Sequence, residues 1–367
     1  MASKKQRRLS SYSRFTKVQQ KKATTHIMKK LLLGLLILLT YTATAQEKKF
    51  AVYGVAFYNL ENLFDTKRDS IINDEEYTAE GASAWDENKY KNKLSNMAFV
   101  LNQLGGKYLP QGPAFIGVSE VENEDVLKDL VHTGDFAQKG YGYVHYDSPD
   151  YRGIDVALLY NPKLFTVESS KAIPLHFADN PTFRTRDQLL VTGTIAGEKV
   201  HVIVAHWPSR RGGKQTDYRE RAAALGKHII DSLYKADPNT KVFYMGDLND
   251  DPFDKSIAKV IGAKKSQTDV QQGVMFNPFW NILDSGVGSL AYNGSWNLFD
   301  QIMVSNNLVG TDRSNLKFWK AEVFNKDFLI NQDGQFKGYP KRTFSKGIWL
   351  NGYSDHFPTI VYLLKQQ

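Results

Sequence analysis

The string Gly246-Asp247-Leu248-Asn249-Asp250 follows the apolar run Val242-Phe243-Tyr244-Met245 and presents a carboxylate and a carboxamide two residues apart. If the run is a buried strand, the pair stands at its carboxyl end, where α/β proteins gather ligands and catalytic groups. Side chains two apart on a strand point to the same side, so Asp247 and Asn249 can act on one reacting atom. Gly-Asp-x-Asn is equally the signature of a tight turn. Other apolar runs end in the same way. Phe57-Tyr58 runs into Asn59-Leu60-Glu61, Ile116-Gly117-Val118 into Ser119-Glu120, and Ile203-Val204-Ala205 into His206-Trp207-Pro208, while Ser354-Asp355-His356 precedes an apolar run near the C-terminus. Each has a plain reading taken singly. Glu120 can open a helix, where acidic groups favour the first turn; His206 can be a satisfied structural histidine; Asp355-His356 can be a capped turn. Five strand ends offering metal ligands or proton-transfer groups make a shared site the better account. Metal-assisted phosphoester hydrolysis needs that combination: charge on the phosphoryl oxygens, a positioned water and a stabilised leaving oxygen.

The elements that must position these groups follow from periodicity. Runs rich in Val, Ile, Tyr and Phe predict strands over 51–58, 114–119, 142–146, 154–160, 189–195, 200–206, 241–245, 300–304 and 359–363. Tyr90, Leu94, Met97, Ala98, Leu101 and Leu104 fall at spacings of three and four and predict one helix; Tyr218, Ala222, Leu225, Ile229 and Leu233 predict a second. Helices are too few to cover a wholly parallel sheet, so the α/β architecture expected is two mixed sheets face to face with helices outside. No repeat or linker interrupts residues 50–367, which predicts a single domain over 46–367.

The formal charge of +8 is misleading. Of the 47 Lys and Arg, ten lie in residues 1–45 with no Asp or Glu, leaving 37 basic against 39 acidic residues. Met28-Lys29-Lys30, an apolar run from Leu31 to Leu39, and Ala43-Thr44-Ala45 have the order of a secretory signal peptide over 28–45, behind a basic extension over 1–27. The run is too short to span a bilayer. Cleavage after Ala45 leaves Gln46 first, and the expected location is the periplasm or the exterior of the cell, without a transmembrane anchor. The chain has no cysteine, so a metal site must use carboxylates, amides and imidazoles, which favours Mg²⁺, Ca²⁺ or Mn²⁺.

Taken together, Asn59-Leu60-Glu61, Ser119-Glu120, Arg152-Gly153, Ala205-His206, Gly246-Asp247-Leu248-Asn249, Asp300 and Ser354-Asp355-His356 resemble, in order, the motifs of the endonuclease/exonuclease/phosphatase family of deoxyribonuclease-like metal-dependent phosphodiesterases. The resemblance covers essentially all of residues 50–367. It implies a four-layer α/β/β/α sandwich with the site at one end of two mixed sheets. It further implies Glu120 as principal Mg²⁺ ligand with Glu61 and Asp355 nearby, and Asn59 and Asn249 holding the scissile phosphate. Asp247 would orient or deprotonate the attacking water. His356 would contact the phosphate with Asp300 fixing its tautomer, His206 would stand near the leaving oxygen, and Arg152 would add a cationic contact.

Asn62-Leu63-Phe64-Asp65, the acidic stretch 69–76, Asp150-Tyr151-Arg152-Gly153 and His206-Trp207-Pro208-Ser209-Arg210-Arg211-Gly212-Gly213 look like the bacterial secreted-nuclease branch. On that reading Arg210, Arg211 and Lys214 form a basic loop gripping phosphates, against the plain reading of a solvated loop. Residues 69–76 are a surface loop or a structural Ca²⁺ site, and the absence of the EF-hand glycine favours the loop. The expected function is hydrolysis of DNA or RNA by a monomer with no stable protein partner. The rival enzyme acts on phospholipid head groups or inositol phosphates, for which Phe276-Asn277-Pro278-Phe279-Trp280 would be an interfacial hairpin unless it is core. A silent binding module is the third reading.

Overall fold

The computed structural model describes residues 19–33, 49–210, 216–292 and 294–367. The chain divides into two units, Met1–Lys49 and Phe50–Gln367. In the first, residues 19–33 are helical. No helix among the described residues is long and apolar enough to cross a membrane. Most of the expected signal peptide, its cleavage point after Ala45, and Arg211 and Lys214 lie outside the described residues.

The second unit contains, in chain order, β1 (Phe50–Leu63), β2 (Phe115–Val121), β3 (Gly142–His145), β4 (Asp155–Tyr160), β5 (Phe165–Ile173), β6 (Gln188–Ile195), β7 (Glu198–His206) and β8 (Val242–Asp247). There follow β9 (Met275–Phe276), β10 (Leu290–Tyr292), β11 (Ser295–Asn297), β12 (Asp300–Ser305), β13 (Lys317–Val323), β14 (Phe344–Ser345), β15 (Ile348–Trp349) and β16 (Thr359–Gln366). The α-helices are α1 (Glu87–Gln103), α2 (Glu124–Val131), α3 (Thr216–Ala236) and the short α4 (Phe279–Asp284).

One six-stranded sheet runs β13-β16-β1-β2-β4-β3 and the other β5-β6-β7-β8-β12-β9. Each has a parallel pair at its centre, β1 with β2 and β7 with β8, flanked by antiparallel neighbours. The helix between the members of each pair, α1 or α3, supplies the crossover a parallel connection needs. Val202, Val204, Phe243, Met245, Ile302 and Val304 enter the core shared with the first sheet, whereas Ile203, Ala205, Val242, Tyr244 and Met303 pack with Ala222, Ala223 and Ile230 of α3. That alternation is the period-two pleat of a sheet covered on both faces. It gives the expected sandwich of two mixed sheets with helices outside.

The structure adds edge strands β5, whose exposed residues Thr166, Glu168, Ser169 and Lys171 are polar, and β13, which intersperses half-buried Lys317, Lys320 and Glu322 with an exposed Trp319, so neither carries a strong apolar pattern. Such polar residues are what an edge requires. It also adds α2, capped by the Asn123 side chain accepting the Val126 N–H at 3.0 Å. Glu120 therefore stands both at a strand end and just before a helix.

Candidate active site

Three strand ends leave regular β geometry where the polar residues begin. The β1–β2 register shifts between Asn59 and Leu63, and the β2–β4 register between Ser119 and Val121. Within those bulges Glu61, Asn62 and Glu120 have φ of 49°, 56° and 60°, and Asn249 beyond β8 has 50°. Left-handed backbone at non-glycine residues costs about 1 kcal/mol or more each and collects at functional sites. The bulges re-aim the carboxylates out of the pleat. Gly246 is demanded by close approach, because a Cβ there would lie 1.9 Å from the Ala205 carbonyl oxygen of the neighbouring strand.

Asp247 is the hub. Its Oδ1 accepts the Asn249 N–H at 3.0 Å, and its Oδ2 accepts Asn59 Nδ2 from the opposite sheet at 3.0 Å. His206 Nε2 lies 3.6 Å and His356 Nε2 3.9 Å from the same Oδ2. Gly246-Asp247-Leu248-Asn249 is thus both a side-chain-closed turn and part of the cluster. His356 Nδ1 meets Asp300 Oδ2 at 2.7 Å, and Ser289 Oγ donates to that same oxygen. Ser354 Oγ donates to the Asn59 carbonyl at 2.7 Å and accepts the His356 N–H at 3.1 Å, locking the last motif onto β1.

Burial pushes the Asp247 carboxyl up to about 7, with Asp300 and Glu120 adding to the rise and His356 opposing it. Burial disfavours a charged His356, yet Asp300 and Asp247 outweigh it and hold the imidazole well above its usual range. His206 moves the other way: burial, then the charges of Arg186, Arg152 and His356, keep it well below. One imidazolium and one neutral imidazole therefore flank a single carboxylate. His206 Nδ1 is buried without a hydrogen-bond partner among the described residues, so the neutral ring carries its proton on Nε2, toward Asp247.

A second group adjoins the first. Glu120 Oε2 accepts the Asn62 N–H at 3.0 Å, while Oε1 has Arg152 Nη2 3.9 Å away. Glu61 Oε2 accepts the Thr343 N–H at 2.6 Å, and Arg342 reaches Glu61 Oε1 through Nε at 3.5 Å and Asp355 Oδ2 through Nη2 at 2.5 Å. Lys93 of α1, wholly buried, donates to Thr343 Oγ1 and to the Tyr353 carbonyl, each at 2.6 Å. Burial raises Glu61 to about 7, chiefly with the help of Asp355. Burial lowers Lys93 to about 8 against the pull of Glu61, Asp355 and Glu120. Arg342 was not singled out in the sequence and nothing local marks it. Lys93 was not singled out either, although its helical spacing with Tyr90, Leu94 and Met97 on the buried stripe is a signal that could have found it.

The structure shows what already engages several of the expected residues. Asn59 and Asn249 do not present free amides: Asn59 Oδ1 accepts the Glu61 N–H at 2.8 Å while its Nδ2 holds Asp247, and Asn249 Nδ2 donates to the Trp207 carbonyl at 3.0 Å. Arg210 is no free phosphate grip. It donates to the Asn249 carbonyl at 2.8 Å, lies 2.6 Å from Asp254 and 3.3 Å from both Asp250 and Asp251, and covers the Phe299 ring. Glu61 and Asp355, expected as metal ligands near Glu120, both contact Arg342, and Glu61 also accepts the Thr343 N–H. In the acidic stretch Arg68 pairs with Asp74 and Glu75, and the region is the favoured loop. Phe276 and Phe279 are buried in the core, which removes the interfacial hairpin.

The donor set still fits a hard divalent ion. Glu120 keeps an oxygen without a close donor, and its side chain is 14% exposed. All carboxylates around it offer oxygen, as Mg²⁺ or Mn²⁺ prefers. The other convergent groups serve different ends. Asp247, Asp300 and His356 lie within ligand reach of one another, but Asp300 Oδ2 is taken by His356 and Ser289. His145, Asp147 and Asp155 form a further group. There Asp155 accepts His145 Nε2 at 3.0 Å and the Ser148 N–H at 2.8 Å, pinning the loop that delivers Arg152. Arg186, which sequence reading passed over, ties Asp150 of that loop (2.9 Å) to the Trp207 carbonyl beside His206 (2.7 Å).

The sequence profile described as Endonuclease/Exonuclease/phosphatase family matches residues 54–365. No curated protein sequence matches the chain. Among solved structures it is similar to an endonuclease/exonuclease/phosphatase family protein from Bacteroides thetaiotaomicron, with a TM-score of 0.52 and 16% identity over 86% of this chain and 98% of that one. It is similar to D. rerio TDP2 complexed with single strand DNA product, with a TM-score of 0.51 and 13% identity over 85% and 99%. The Bacteroides thetaiotaomicron VPI-5482 mannosyl-6-phosphatase gives a TM-score of 0.50 and 16% identity over 85% and 99%. At such identities these likenesses establish the fold.

Proposed function

The chain belongs to the endonuclease/exonuclease/phosphatase family, a family of metal-dependent hydrolases of phosphoester bonds, and on that premise we propose that it hydrolyses nucleic-acid phosphodiester bonds. The observation that carries this reading is the hub at Asp247: one buried carboxylate shared by Asn59, neutral His206 and charged His356, with Glu120 beside it. Glu120 would hold a divalent ion, Mg²⁺ or Mn²⁺, which when bound would supply positive charge to the phosphoryl oxygens. The protein's own residues do the rest. Asp247, near neutrality in its buried setting, takes the proton of the attacking water. Asn59 and the Asn249 N–H hold that carboxylate in one orientation, with His206 Nε2 3.6 Å away. His356, kept protonated by Asp300, offers Nε2–H to the phosphate, and Arg152 at the mouth adds a second cation. Most of the acceleration then comes from positioning and preorganised charge.

Nucleic acid is favoured by two observations. A neighbour of the same fold is described with a single strand DNA product, and Arg152 stands half exposed beside Glu120. A small phosphomonoester is the second reading, supported by the mannosyl-6-phosphatase neighbour. Head groups of phospholipids lose ground with the burial of Phe276 and Phe279. The signal-peptide pattern of residues 28–45 favours a periplasmic or extracellular enzyme. A metal-dependent screen against DNA, RNA, bis-nitrophenyl phosphate, sphingomyelin and sugar phosphates tests the proposal. Nicking of DNA or RNA supports it; efficient hydrolysis of a phosphomonoester or sphingomyelin with negligible nicking overturns it.

A further inference from the structure

We infer that Arg342 is a substrate-binding residue, held at the site's edge to receive a phosphate next to the scissile one. The inference rests on the proposed action on nucleic acid and deepens it. Three observations carry it. First, Arg342 is rigidly presented. Its Nε and Nη2 reach Glu61 and Asp355, its neighbour Thr343 donates its N–H to Glu61, and Lys93 clamps both arms of the 342–353 segment through Thr343 Oγ1 and the Tyr353 carbonyl. Second, it is open. The side chain is 42% exposed, and among the described residues Nη1 has no hydrogen-bond partner. Third, it is one carboxylate away from the reacting centre, since Asp355 Oδ2 faces Arg342 while Oδ1 lies 3.9 Å from His356 Nε2.

Charge explains why such a residue is useful. Glu61, Glu120 and Asp355 face Lys93, Arg342 and Arg152, so the chain's own cations already balance these carboxylates. The charge of a bound divalent ion is then left over for phosphates. Arg152 lies beside Glu120 and Arg342 beside Asp355 and Glu61, so two cations are available for phosphates other than the scissile one. The fork of a guanidinium can hold two carboxylates and still offer a donor, which an ammonium does less well.

The test uses the full chain and Arg342→Gln, with Arg342→Lys as the charge-preserving control. Binding of a labelled oligothymidylate is followed by fluorescence anisotropy in EDTA across a salt series, and turnover is compared on oligothymidylate and bis-nitrophenyl phosphate. For Arg342→Gln we expect binding weakened by about tenfold, as for loss of a charge-assisted hydrogen bond. The slope of log affinity against log salt should flatten by about 0.7, one single-strand phosphate contact. The turnover loss should be greater on oligothymidylate than on the single diester, with Arg342→Lys between. Unchanged binding and salt slope in both variants would overturn the inference, as would equal losses on the two substrates, which would mark a structural role. A wild type that binds oligothymidylate without cutting it would refute the proposed function and leave the binding series to decide on Arg342.

Discussion

Asn59 and Asp247, 188 residues apart, share a 3.0 Å hydrogen bond across the interface between the two sheets. It joins the carboxyl ends of β1 and β8, central strands of different sheets, and so fixes where the two halves of the site meet. Because Asn59 also accepts the Glu61 N–H, one amide aligns the carboxylate hub and the β1 bulge together.

Replacing Asp247 by Asn should lower kcat by about 100-fold or more, the loss expected for a positioned acid–base group. The change is nearly isosteric, so cooperative melting should persist. Steady-state kinetics on bis-nitrophenyl phosphate would decide; a variant within a few-fold of wild type leaves the motif only its role as a turn.

Asp300→Asn removes the largest influence holding His356 in its charged form. The imidazolium value falls, so the alkaline limb of the kcat/KM profile should move to lower pH, with kcat down about 10- to 100-fold. A pH profile with an unmoved alkaline limb would separate His356 from the rate.

Activity should vanish with chelator and return with Mg²⁺ or Mn²⁺. Stability supplies an independent readout. Asp247 and Glu61 have folded values of about 7, above the unfolded carboxylate range of about 4. The folded state binds these protons more tightly, so this contribution is complete below the unfolded value and is lost as pH rises through about 7. The melting temperature in EDTA should therefore decline from acidic to neutral pH, and added Mg²⁺ should raise it more at about pH 8 than at about pH 5. Equal Mg²⁺ effects at both ends, by scanning calorimetry, would contradict the assignment.

Arg210→Ala should act on stability rather than on substrate grip. It removes the cation facing Asp250, Asp251 and Asp254, although Asp251 keeps Asn297 Nδ2 and the Leu298 N–H, and should cost about 1 kcal/mol. Denaturant melts measure this; an unaltered midpoint with a flattened salt dependence of DNA cleavage would restore Arg210 to the phosphate.

Secreted material should begin at Gln46. Intact mass or N-terminal sequencing checks this, and a chain retaining Met28 would refute the cleavage reading.

By itself the sequence determined which residues stand at strand ends and which periodicity each segment follows. Both are local properties: Val202 to Ala205 is apolar on both faces because a central strand is covered twice, and His206 follows where that cover ends. From such endings the order of Asn59, Glu61, Glu120, His206, Asp247, Asp300, Asp355 and His356 was legible, and so was the mixed two-sheet sandwich. Tertiary structure decided who partners whom. Whether Glu61 meets a metal or Arg342, 281 residues away, depends on sheet register, a left-handed bulge at φ 49° and the clamp by Lys93, none of which a local pattern encodes. Likewise the same Arg210 that reads as a basic loop finds three carboxylates only once the turns after β7 and β8 lie side by side. Charge pairing in a folded site is a long-range contest among neighbours, and the neighbours are set by packing.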